Sequence, residues 1–193
     1  MIADGQSRRK TYLRLGGLLL FVAVVVVIGL SPKVRAQFEA ENLRTIIEAA
    51  GAWGFLLYIV AFLVGLVLYI PGIVFVGVGV FAWGPWVGIA LGYGTGVLGV
   101  TAHFSLLRLI GGSPLAAGAP GRRWYWVQRV LDDLEAHPVR SVAILRVIGF
   151  MSPPLNTALA LTGLKARDHF LGTALGLVFP VIIAAGLFDW LFS

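Results

Sequence analysis

The chain has 193 residues, 59% of them hydrophobic and only 12% charged, which is too little charge to clothe a water-soluble domain. Its formal charge of +6, from 15 Lys and Arg against 9 Asp and Glu, sits at the flanks of apolar runs, which fits anionic lipid head groups and not a groove tracking nucleic acid. There is no cysteine, so disulfides, thiolate metal centres and cysteine nucleophiles are excluded.

These bounds predict one membrane domain over residues 1–193. Arg8, Arg9, Lys10 and Arg14 precede an apolar run, which predicts a first spanning helix over residues 13–30 with its N-terminus in the cytoplasm. The rival reading is a cleaved signal peptide, since Val34-Arg35-Ala36 has the spacing of a cleavage site. Residues 36–50 place Leu43, Ile46, Ile47 and Ala50 at helical spacing, which predicts a helix lying on the membrane surface.

From Trp53 an apolar run of spanning length reaches Pro71-Gly72, where proline removes a backbone donor and clashes with the preceding turn. Ile73 to Phe81 then offers roughly nine residues, about 14 Å, against a hydrocarbon core of about 30 Å. A half-helix follows, and the run before it either spans fully or forms the first leg of a re-entrant hairpin; residues 53–109 are read as that hairpin and then a spanning helix. Trp83-Gly84-Pro85-Trp86 reads as an interfacial turn between them. Gly84, Gly88, Gly92 and Gly96 fall on one face, where a second copy of the chain could approach closely and form a homo-oligomer. Gly94, Gly96 and Gly99 match GxGxxG, but no strand precedes them and no acidic residue follows at the proper distance, so a dinucleotide site is rejected.

Residues 122–136 put Trp124, Val127, Leu131 and Leu134 on one face and Arg129, Asp132 and Glu135 off it, a second interfacial helix. Residues 138–192 repeat the earlier pattern: an apolar leg containing Arg146, a break at Pro153-Pro154, a short piece to Gly163, and a last spanning helix. Overlaying Pro71 on Pro154 aligns the two halves, which predicts an inverted pair of re-entrant hairpins. The expected fold is an all-α polytopic membrane protein with three to four spanning helices, two such hairpins and interfacial helices.

Arg146 is the leading candidate residue. A charge at membrane depth costs at least about 2.5 kcal/mol, so it should face a cavity or a partner. It could hold a lipid phosphate through paired hydrogen bonds, or tie down carbonyls freed at the proline break. Asn156 has the same two readings. Arg108 either joins the lipid path or snorkels to the head groups. His103 and Asp168 are candidates for a proton relay, against plain structural roles. Asp168 and Asp189 lie about 31 Å apart on one predicted helix, which rules out an aspartyl pair there. No HExxH, nucleophile elbow or Walker loop is present, so neither an enzyme, a metal nor a cofactor is expected.

The sequence YIPG at residues 69–72, Phe81 with Gly84 and Gly88, the FxxxRxxG of Phe104, Arg108 and Gly111, the stretch from Arg146 to Asn156, and the FxxTxxGxxxP of Phe170, Thr173, Gly176 and Pro180 together resemble the DedA superfamily, most closely its VTT-domain or SNARE-associated Golgi protein branch. The resemblance spans roughly Trp53 to Pro180. It implies a polytopic protein with two facing re-entrant hairpins, here expected in a bacterial inner membrane, that works on lipids: eukaryotic members are associated with phospholipid scrambling, bacterial members with recycling polyprenyl-phosphate carriers or with proton-dependent homeostasis. Two departures stand out. Prolines usual after the matched arginine are replaced by Gly149 and Ser152, and the carboxylate usual near the first hairpin is missing, since no Asp or Glu lies between Ala49 and Leu131. The function expected is transbilayer movement of phospholipid or polyprenyl-phosphate head groups. The alternatives are a proton-coupled transporter of a small solute and a non-transporting assembly protein.

Overall fold

The computed structural model of the chain describes residues 13–111 and 125–192, apart from 14, 15, 18, 25, 29 and 38. Among the described residues every regular element is helical: α1 (Pro32–Gln37), α2 (Ala40–Ala49), a 3-10 turn (Gly51–Trp53), α3 (Gly54–Val67), α4 (Gly72–Gly111), α5 (Tyr125–Ala136), α6 (Pro138–Gly149), α7 (Pro153–Ala160) and α8 (Ala166–Phe192). Two of them, Gly72–Gly111 and Ala166–Leu191, are long and apolar enough to cross a membrane. The first spanning helix expected over 13–30 and the basic loop before Tyr125, with Trp124 in it, lie partly or wholly outside the described residues.

Helix α4 is two helices meeting at Gly84, whose φ of 79° and ψ of 171° are open essentially to glycine alone. The halves fold back on each other. A methyl group on Gly88 would stand 2.6 Å from the Val80 backbone nitrogen, and one on Gly92 would stand 3.1 Å from a Val76 methyl. Of the four glycines expected to face a second copy, Gly88, Gly92 and Gly96 are packed within the chain, the last against Met151, while Gly84 has open space around it. Small residues there let two backbones touch.

α3 and the first half of α4 form a short-legged hairpin. The Tyr58 hydroxyl donates to the Phe75 carbonyl at 3.0 Å, the Phe62 and Phe75 rings lie 4.6 Å apart, and Phe55 stacks on Trp83. The 14 residues of α3 rise only about 21 Å. A second bend joins α6 to α7, of 12 and 8 residues, which meet near the turn through Leu155 at Gly149 and Asn156 on Arg146. Each hairpin lies beside a long helix. Gly99 of α4 meets Leu63 and Leu66, while Gly172 and Gly176 of α8 meet Val139, Val142, Ala143 and Arg146.

The long helices run antiparallel. Phe104 stacks on His169 at one end, Tyr93 donates to the Ala174 carbonyl further along at 2.9 Å, and Phe81 in the first half of α4 meets Phe188 near the other end. The hairpins therefore enter the molecule from opposite ends, and their tips meet. Met151 packs against both Gly72 and Gly96, and the Tyr69 and Thr157 hydroxyls are 2.5 Å apart.

The tips differ in detail from the proline breaks expected. Pro153 and Pro154 open α7, where a missing N–H costs nothing, and Pro71 likewise precedes the first residue of α4. The reversal is made just before them by Tyr69 (φ 60°) and Phe150 (φ 50°), both left-handed, a costly backbone for an aromatic residue. These two residues are the equivalent positions of the hairpins, so Pro71 matches Ser152 and the overlay on Pro154 is two residues out of register. Gly163 belongs to no tip. It is exposed in the connection between α7 and α8.

Candidate functional site

Behind the second tip lies a buried polar cluster that α6, α7 and α8 each help to build. Arg146, four residues before Phe150, is fully buried, and Asn156, His169 and Thr173 are at most 1% exposed. The glycines of α8 explain how a guanidinium fits there. Gly172 and Gly176 let α6 press onto α8, and Arg146 enters over Gly176.

The guanidinium donates from Nη2 to Asn156 Oδ1 at 2.6 Å and to His169 Nε2 at 2.8 Å. Its Nε donates to Thr173 Oγ1 at 3.2 Å, and Nη1 to the Phe150 carbonyl at 3.4 Å. Asn156 in turn donates to the Val100 carbonyl of α4 at 2.9 Å. Every acceptor is neutral. No carboxylate bonds Arg146 among the described residues, and the sequence places none between Glu135 and Asp168. Buried guanidinium is costly without a counter-charge.

Arg146 and Asn156 are thus brought together. Arg108 is placed elsewhere. Its Nε donates to the Ala160 carbonyl at 3.1 Å, its Nη2 to Thr162 at 2.6 Å and its Nη1 to Leu164, so it closes the C-terminal end of α7 while lying over the Phe104 ring at 4.6 Å. A cation collecting carbonyls at a helix C-terminus satisfies groups the helix leaves open.

His103 is buried beside the first tip, its ring edge-on to Tyr69 with centroids 6.0 Å apart and its Nε2 without a hydrogen-bond partner. Asp168 lies apart from the cluster. It lines a surface cavity of about 320 Å³ with Asp132, Glu135 and Lys165. Reading the sequence passed over His169 beside Asp168, though the spacing was available: Arg167, Asp168 and His169 open a helix, and only the last, one turn before Thr173, faces inward.

A second cavity, of about 670 Å³, lies where the tips meet and is bounded by Val26, Leu30, Tyr69, Val74, Ser152 and Pro153. The 150–152 turn thus has the cavity on one side and, through the Phe150 carbonyl, Arg146 on the other.

A family model described as the VTT domain matches residues 70–189, a stretch that holds both tips' second legs, both long helices and the whole Arg146 cluster. The chain belongs to the VTT-domain family. It is accordingly a membrane protein of the DedA and SNARE-associated Golgi protein kind, a family generally held to be transporter-like. No curated protein and no solved structure matches the chain. Within this VTT domain, the match begins at Ile70 inside the first tip, so the family's pattern starts where the hairpin turns and not where its first leg begins.

Proposed function

We propose that this VTT-domain protein moves lipid head groups, of phospholipid or of a polyprenyl-phosphate carrier, across the bilayer along the seam between two re-entrant hairpins. The observation that supports this best is the buried Arg146, bonded to neutral groups and without an anionic partner among the described residues. A lipid phosphate would supply that charge, and a planar guanidinium binds phosphate through two parallel hydrogen bonds. The cavity at the tips is largely apolar, and its volume lies within the range of about 300–1,000 Å³ usual for small-molecule sites. Lipid chains would stay in that apolar space and in the surrounding hydrocarbon while the head group passes the tips, so no covalent step is needed.

In this reading the hairpins end at mid-bilayer, since α3, α6 and α7 are too short to span it. The end carrying Arg140, Lys165 and Arg167 faces the cytoplasm with the N-terminus, in a bacterial inner membrane, by the bias of basic residues toward that side. Purified protein in vesicles with fluorescent phospholipid tests the proposal. Wild type should make inner-leaflet label accessible to an external quencher, Arg146→Ala should not, and Arg146→Lys should retain part of the activity. Unchanged movement in a folded Arg146→Ala protein would overturn the role given to the guanidinium.

A further inference from the structure

The Arg146 cluster contains two competing hydrogen-bond arrangements, and only one of them is in use. A guanidinium has no acceptor, so the 2.8 Å contact requires a lone pair on His169 Nε2 and places that ring's proton on Nδ1. Yet Nε2 also lies 3.0 Å from Asn156 Oδ1, the atom that accepts from Arg146 at 2.6 Å. A proton arriving on Nε2 would find an acceptor already in place.

We propose that His169 is a proton-binding site that controls whether Arg146 is held or released. A proton taken from hydronium, which is left as water, forms the Nε2–H bond, and the new N–H donates to Asn156 Oδ1. The Arg146 Nη2 donor loses its place on the ring and faces a cation at about the same distance, with no carboxylate from α4, α6 or α7 to offset the repulsion. The charged groups facing this ring are Arg146 from α6 and Arg108 from α4, the latter beyond Phe104, which stacks on the ring at 4.1 Å. From α7 comes only the uncharged Asn156, and Asp168 on its own helix lies off the cluster. Release of Arg146 removes the side-chain bonds that tie α6 to Asn156 of α7 and Thr173 of α8 behind the 150–152 turn, while the packing of α6 over Gly172 and Gly176 remains. The inference rests on the cluster's geometry and not on which substrate the protein moves.

Nuclear magnetic resonance of ¹⁵N-labelled histidine and arginine side chains in the full chain in micelles provides the test, because the chain has only three histidines to assign. The expected result is a neutral His169 ring carrying its proton on Nδ1 at about pH 8, converting to imidazolium as the pH is lowered while the chain stays folded, together with a shift of the Arg146 signals. A second measurement is thermal unfolding over the same range. His169→Gln should lose an acid-dependent fall in melting temperature that His103→Gln and His137→Gln keep. An Nε2–H tautomer at neutral pH, Arg146 signals that stay fixed while His169 protonates, or a ring that stays neutral until the chain unfolds would each overturn the proposal. So would equal acid sensitivity in folded His169→Gln. If that variant does not fold, the wild-type spectra decide.

Discussion

Arg146 is held by bonds that converge from two other helices, so its partners have effects out of proportion to their size. Asn156 accepts from Arg146 and donates to Val100, and its removal takes one hydrogen-bond partner from each of two buried groups. Asn156→Ala should cost about 1–3 kcal/mol, read as a lowered unfolding midpoint in detergent. Tyr69→Phe removes the hydroxyl that meets Thr157 across the tips, but Thr157 still donates to the Pro153 carbonyl at 3.0 Å. It should cost about 1 kcal/mol and leave the fold intact. The left-handed backbone at Tyr69 and Phe150 marks where strain is concentrated. Strained residues of this kind collect at sites that change shape.

Among the elements, the folded-back α4 gives the clearest contrast. Gly88 and Gly94 sit six residues apart in one helix, yet a methyl group on Gly88 meets the Val80 backbone while one on Gly94 meets nothing within 4 Å. Gly88→Ala should therefore destabilise the protein by about 1–3 kcal/mol. Gly94→Ala should stabilise it by up to about 1 kcal/mol through helix propensity alone. Gly84→Ala should cost about 1–3 kcal/mol even though open space surrounds it, because the penalty lies in the backbone. Thermal unfolding of the three variants side by side checks all of these. A Gly88→Ala protein as stable as wild type would mean the two halves of α4 do not pack as described.

For the whole molecule, the contacts fix two ends. Trp53 and Trp86 belong to the end where the first hairpin enters, and Arg140 and Lys165 to the end where the second enters. All four are exposed and the chain has no cysteine of its own, so single cysteines there give a clean reading. Impermeant maleimide added to intact cells should label W53C and W86C alike, and R140C and K165C only after the membrane is opened. Labelling of W53C and K165C from the same side would contradict opposed hairpins. The same opposition explains why the tips can meet at all, since two short legs entering from one side would lie beside each other and not end to end.

Much of this fold was legible in the sequence. Apolar run lengths fixed where helices could and could not span, Pro71 and Pro153-Pro154 marked both breaks to within a few residues, and the uncompensated charge of Arg146 singled it out. These are local properties: helix rise, a missing backbone donor and the cost of burying a charge act on the chain wherever it goes. What the sequence left open depended on residues far apart in the chain. Arg108 became the cap of α7 because carbonyls more than fifty positions later came within reach. The glycine stripe turned inward because Gly84 folded α4 onto itself, and His169 joined Arg146 only because α6 lies on α8. Which neutral groups surround a buried charge is decided by packing, and packing is a property of the assembled chain.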